Sequence, residues 1–395
     1  MRRIIIKEAR PGMVAARTLV ATENAQRVEV AKAGEVLGVE HLVRLHELGL
    51  YDLWVIDPGL EFFDEMCVQP TAGQLRLAEG LRDSFLRLSG WVSRALLKRH
   101  SSVLEEVVRG LIRGAPVVPC FGAFAEDEAL LAHSCDVAAV SILLGLQLEG
   151  YLVEQRRRLD CRHAREVGSL ALGALFHDVG EVMLPAQQRE SRQACFDSED
   201  WMQHTEEGHA LVRGRVDPSA VAVVMHHHQR FDGTGFAGGA AGSGSGADAG
   251  HRALAGEGIH VFARIVMAAD EFCRTLFAGA RLPQPMVMAL WKMQQVPLRS
   301  AFDPVVHGCL LGMFQPFVAG MVVMLNDQSQ ALVTGVEGQY PCYPEVRVLQ
   351  GGEGEAGGVG VIKLAERSDL RVEVVDGMEV EGYLYGVRKA APLAA

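Results

Sequence analysis

Leu170-Ala171-Leu172-Gly173-Ala174-Leu175-Phe176-His177-Asp178-Val179-Gly180 is an apolar, small-residue run that ends on an imidazole beside a carboxylate. The spacing predicts a buried helix closing at a polar pair. A buried imidazole or carboxylate is costly unless it is paired or ligated. The same pattern recurs on both sides. His133 follows Leu130-Leu131-Ala132 and leads into the apolar stretch Val137 to Leu148, while Asp270 closes the run Val261 to Ala269. His226-His227-His228 adds three consecutive imidazoles. Taken singly, each has a bland reading: a capping or core histidine, or Asp270 paired with Arg264 or Arg274. Together, ligand-type residues in apolar contexts on separate helices point to a metal centre. Imidazoles and carboxylates suit Fe, Mn, Zn or Ni, and an Asp can bridge two ions. Such a pair of ions activates water and offsets the charge of a phosphoryl transition state.

Outward from this region, residues 116–317 are expected to be helical, with helices joined by polar turns. The Gly/Ala/Ser-rich segment 237–258 interrupts them and reads as a mobile loop. Residues 1–65 read as a small α/β unit: Arg3-Ile4-Ile5-Ile6 is strand-like, His41 to Leu48 has helical spacing, and Tyr51 to Ile56 returns as a strand. Residues 66–115 are expected to be connecting helices, since Ala72 to Gly114 carries leucines and valines every three or four positions. Residues 318–395 form short β-like runs, including Val322 to Leu325, Ala331 to Val333, Val346 to Val348 and Val372 to Val374. The expected architecture is mainly α, a helical metal-binding domain flanked by an N-terminal α/β domain and a C-terminal β-rich module.

The 395 residues carry 38 Lys+Arg against 49 Asp+Glu, a net charge of -11 that repels phosphate backbones and disfavours DNA as a partner. Eight scattered cysteines form no C-x-x-C pair, so neither a zinc ribbon nor a disulfide scaffold is expected. No export signal or membrane span is recognisable, so the expected location is a reducing cytoplasm with no membrane partner.

Four motifs in order resemble those of HD-GYP proteins, a branch of the HD phosphohydrolase superfamily. They are Phe176-His177-Asp178-Val179-Gly180, His204-Thr205-Glu206-Glu207-Gly208, His227 through Phe236, and Arg264 through Asp270. The likeness covers about Glu126 to Leu276, and Pro11-Gly12-Met13 matches an element of the small domain often found ahead of such units. The resemblance implies two divalent ions, Fe or Mn before Ni or Zn, and hydrolysis of cyclic di-GMP to pGpG or GMP. It assigns His133, His177, Asp178 and Asp270 to one ion. It assigns Asp178, His204, His227 and His228 to the other, with Asp178 bridging and central to catalysis. Arg230, Asp232, Gly233 and Gly235 are the implied substrate contacts. A cyclic dinucleotide and signalling proteins such as GGDEF-domain proteins are the implied partners. Homodimerisation through 72–114 stays open beside packing of that segment on its own domain.

The chain also departs from the family. Glu181 stands where a phosphate-facing Lys is usual, a charge reversal that opposes binding of a diester. Gly235-Phe236-Ala237 replaces Gly-Tyr-Pro, losing a hydroxyl and a stiff loop residue, and Gln229 replaces Glu. A three-metal subgroup has Glu where this chain has Ala129, which favours two ions. Three readings follow: a slow cyclic di-GMP phosphodiesterase, a catalytically impaired protein that binds nucleotide or protein partners, and a hydrolase of another phosphate ester.

Overall fold

The computed structural model describes residues 2–16, 18–23, 26–48, 52–56, 129–184, 199–235, 254–277, 283–350 and 360–386. The connecting helices expected at 66–115, together with Phe236 and the loop up to residue 253, lie outside the described residues.

The N-terminal residues alternate inward and outward. β1 (Arg2–Ile5), β2 (Val14–Ala15) and β5 (Asp52–Ile56) form an antiparallel sheet in the order β1-β5-β2, and β3 (Leu19–Glu23) pairs with β4 (Gln26–Ala31). Ile4, Ala15, Leu53 and Val55 turn inward onto α1 (Val39–Glu47), where Leu45 is fully buried. This unit has its own small core.

The central helices explain the apolar runs. α2 (Ala129–Gln147) is apolar nearly all round and is followed, past a bend at Leu148, by α3 (Glu149–Gln155). A helix of this kind must be enclosed. It is: Val137, Val140, Ile142 and Leu144 share one core with α4 (Gly168–Leu175), α6 (Pro218–His226) and α7 (Val261–Phe277). α5 (His204–Val212) packs on the 3-10 turn Val179–Met183 and on α6. α8 (Met286–Met293) and α9 (Pro304–Met313) close the far side. Among the described residues no single helix is long and apolar enough to cross a membrane.

Tight contacts in this bundle require glycine. A Cβ at Gly173 would fall 2.7 Å from Val223 Cβ, and one at Gly180 would overlap the His204 carbonyl and lie 2.5 Å from Gly208 N. Gly180 therefore lets the segment after His177-Asp178 press directly onto the start of α5. Polar buttresses hold the other side: the buried Arg264 guanidinium donates to Asp303, to the Tyr151 hydroxyl at 2.8 Å and to Gln155 Oε1 at 2.6 Å, tying α7 to α3 and α9.

Residues 318–386 turn to strands, as their composition leads one to expect. A six-stranded antiparallel sheet runs in the order β11-β10-β6-β7-β8-β9. Its strands are β6 (Val322–Leu325), β7 (Gln330–Gly335), β8 (Glu345–Gln350), β9 (Ile362–Lys363), β10 (Val372–Val375) and β11 (Met378–Glu379). Val323, Leu325, Val333, Val346 and Val372 form its core, into which Val287 of α8 is also buried.

The start of α7 generates a pH prediction. His260 Nδ1 accepts the Phe262 backbone N–H at 3.2 Å, which requires an unprotonated nitrogen. Burial, then the nearby Arg156 and Arg264 charges, push this imidazole down to about 4. The unfolded chain keeps the ordinary value of about 6.5, so it takes up a proton first as pH falls and stability drops between those values. Replacing His260 by Asn keeps a capping acceptor that does not titrate. His260→Asn should match the wild type in urea unfolding at pH 7.5 and exceed it by roughly 1–2 kcal/mol at pH 5.

Candidate metal centre

Helix ends supply most of the site. His133 comes from the first turns of α2, His177 and Asp178 from the turn closing α4, and His204 from the first residue of α5. His227 and His228 come from the end of α6, and Asp270 from the middle of α7. The distances bring these expected positions together. Asp178 Oδ1 lies 3.3 Å from His204 Nε2 and 3.3 Å from His227 Nε2. Its other oxygen, Oδ2, lies 3.2 Å from His177 Nε2 and 3.9 Å from His133 Nε2. Asp270 Oδ1 sits 2.7 Å from His133 Nε2 and 3.7 Å from His177 Nε2. Asp178, His204, His227 and His228 thus form one possible ligand group, and His133, His177 and Asp178 another.

The outer ring nitrogens settle which way these histidines are loaded. His177 Nδ1 lies 2.7 Å from the Ala174 carbonyl, His204 Nδ1 2.7 Å from the Trp201 carbonyl, and His227 Nδ1 3.1 Å from the Val224 carbonyl. A carbonyl only accepts, so each Nδ1 carries the proton and each Nε2 is left to point inward. His204 Nε2 and His227 Nε2 then face one another at 3.3 Å. A proton or a metal ion shared among these nitrogens and the facing Asp178 oxygen would satisfy them, and the grouping can hold a metal ion. The buried Nε2 atoms of His177 and His228 have no hydrogen-bond partner. Backbone-anchored imidazoles beside a carboxylate are the arrangement that fixes metal-binding histidines, and the donor set fits a divalent transition metal.

Electrostatics couple the same groups. Burial alone would raise both carboxyls, but His177 beside Asp178 and Arg274 beside Asp270 hold them well below the usual carboxylate range. His177 is pushed up to about 10 because Asp178 and Asp270 outweigh its burial, whereas burial pushes His227 down to about 4 and holds His228 well below the usual imidazole range. Two ionised carboxylates therefore sit among imidazoles of opposite tendency, a combination met at functional sites.

Two neighbours carry little sequence signal as site residues. Trp201, fully buried, sets its ring tilted 4.4 Å from that of His204 and edge-on 5.1 Å from that of His228, between centroids. Its indole N–H donates to Glu181 Oε1 at 3.0 Å, so the carboxylate standing at the usual Lys position is turned into a buried buttress. Arg274, one turn beyond Asp270, donates from Nε to Asp270 Oδ1 at 2.7 Å, resolving the choice between Arg264 and Arg274 in favour of Arg274.

The implied substrate contacts lie in the turn that follows the histidine pair. Asp232 Oδ1 accepts from Thr234 N at 3.0 Å and Oδ2 from Ser300 Oγ at 3.0 Å, which folds the turn around an exposed carboxylate. Gly233 has φ +79°, a left-handed conformation suited to glycine, and a Cβ at Gly235 would lie 2.7 Å from the His228 carbonyl. These residues shape the segment after the histidine pair. Arg230 stands half-buried in it, two residues beyond His228.

Residues 130–275 match the HD domain family. The chain is similar to the cyclic di-GMP phosphodiesterase PA4108 of Pseudomonas aeruginosa, with 23% identity over 344 residues, 78% of this chain and 75% of the relative. Among solved structures it is similar to Bd1817, an HDG"Y"P protein from Bdellovibrio bacteriovorus, with a TM-score of 0.44 and 16% identity over 78% of this chain and 97% of that one.

The packing at Gly180 gives a direct test of how the site is assembled. Gly180→Ala should destabilise the fold by about 2–3 kcal/mol in chemical denaturation, because the methyl must displace the backbone of α5 and His204 with it. The buried His/Asp cluster lies within the segment that matches the HD domain family, residues 130–275, and the motifs of that segment run in the order of the HD-GYP branch.

Proposed function

We propose that this chain is a metal-dependent phosphodiesterase that hydrolyses cyclic di-GMP to pGpG or GMP. The observation that carries the proposal is the pair of ligand groups meeting on the two oxygens of Asp178. Similarity to a cyclic di-GMP phosphodiesterase supports the choice of substrate. Two divalent ions, Fe or Mn, held by these groups would supply an activated water near neutral pH and charge to offset the phosphoryl transition state. His133, His177, Asp178 and Asp270 would hold one, and Asp178, His204, His227 and His228 the other.

The chain's own residues do the remainder. The Nδ1–carbonyl hydrogen bonds of His177, His204 and His227 lock the rings so that only Nε2 faces the site. Trp201 walls off the histidines and keeps Glu181 engaged, which removes a free carboxylate from the path of a phosphodiester. Arg230, beside the histidine pair, offers a positive charge to a substrate phosphate.

The position of Glu181 also favours a second reading. It provides no cation where the related motif has one, so the domain could bind a cyclic dinucleotide, or a protein partner, without turnover. One experiment separates the two. The protein is purified anaerobically, supplied with Fe(II) or Mn(II), and cyclic di-GMP is followed by chromatography. Linear product should accumulate, and Asp178→Ala should lower the rate by at least about 100-fold. A metal-loaded, folded protein that binds cyclic di-GMP but releases no product would overturn the enzymatic reading in favour of the second.

A further inference from the structure

We propose that Arg274 is a resident cation that competes with metal at the His133/His177/Asp178/Asp270 group, so that the centre fills in order, first at Asp178/His204/His227/His228. The proposal rests on the metal reading of the site and assigns a role to a residue outside either ligand set.

Helix geometry places Arg274 here, since a residue four beyond Asp270 on α7 shares its face. Its Nε donates to Asp270 Oδ1 at 2.7 Å, the same oxygen that His133 Nε2 approaches at 2.7 Å. Its Nη2 reaches Asp178 Oδ2 at 3.5 Å, the oxygen facing His177 and His133. The opposite oxygen, Asp178 Oδ1, faces His204 and His227. The guanidinium therefore sits on the carboxylate oxygens of one ligand group and not of the other. Trp201 holds it there, with the guanidinium carbon 4.8 Å from the indole centroid, and only 9% of the side chain is exposed.

Charge decides the consequence. Asp178 and Asp270 contribute two negative charges and Arg274 returns one positive charge. A divalent ion entering the His133/His177/Asp178/Asp270 group meets the guanidinium as a like charge on the same carboxylate oxygens, within a buried site where such charges interact strongly. A guanidinium cannot shed its proton to relieve this. It can only leave the Asp270 and Asp178 oxygens, at the cost of charge-assisted hydrogen bonds. That cost corresponds to about 10- to 100-fold in affinity for the second ion.

The test is a titration of the metal-free full chain with Mn(II) under nitrogen, with free Mn(II) read by electron paramagnetic resonance. The wild type should bind one ion tightly and a second about 10- to 100-fold more weakly. Arg274→Met, confirmed as folded by circular dichroism, should bring the two affinities together. His133→Ala should remove the weak event and leave the tight one. Two equally tight ions in the wild type, or a separation unchanged in folded Arg274→Met, would overturn the proposal. Should Arg274→Met fail to fold, His133→Ala decides, and loss of the tight event would equally overturn it. Failure of the wild type to bind any Mn(II) would overturn this proposal together with the metal reading. Ordered loading without cyclic di-GMP turnover would support it and remove only the enzymatic reading.

Discussion

The structure of the central domain depends on the carboxylate of Asp178. It is fully buried, and no apolar core holds an ionised group of that kind without positive or polar compensation. Four helices converge to supply it. His204 and His227 approach one oxygen, and His177, His133 and Arg274 the other, so the two faces of one carboxylate organise everything around it. The apolar surfaces of α2, α4, α6 and α7 provide the driving force for burial, but the directions in which those helices end are those that bring imidazoles to Asp178.

Compensation is layered outward from that carboxylate. Backbone carbonyls at Ala174, Trp201 and Val224 fix the histidine rings, and Trp201 in turn engages Glu181 and lies beneath Arg274. Gly180 permits the close approach of the segment bearing Asp178 to the start of α5, and the Arg264–Asp303–Tyr151 network sets α7 at its far end. The site is thus held by elements rather than by loops. That suits chemistry in which ligands must be placed to within a fraction of an ångström.

Much of this was legible in the sequence. The run ending at His177-Asp178, the histidine pair at His227-His228 and the polar residue closing the apolar run at Asp270 all stand out against their surroundings, because burial of such groups demands a reason. The short β runs of the C-terminal module were equally plain, although Met378–Glu379 carries too little apolar content to announce a strand. What was not legible depends on direction. Nothing in sequence shows that the Glu181 carboxylate turns onto the Trp201 indole, that Arg274 rather than Arg264 reaches Asp270, or that Asp232 spends its oxygens on Thr234 and Ser300. Each follows from which face of a helix or turn meets which neighbour, and that is fixed only when the helices pack.

The cluster around Asp178 is either a metal centre or a network of ion pairs, and the two differ in what stands between the histidines and the carboxylate. Anomalous diffraction at the manganese edge, from crystals grown with Mn(II), separates the two most directly. A metal centre should give a strong peak among Asp178, His204, His227 and His228, with ligand distances near the ~2.0–2.2 Å expected of nitrogen and oxygen donors. Well-ordered density for these side chains, with no anomalous peak and with the histidines hydrogen-bonded directly to Asp178, would contradict it.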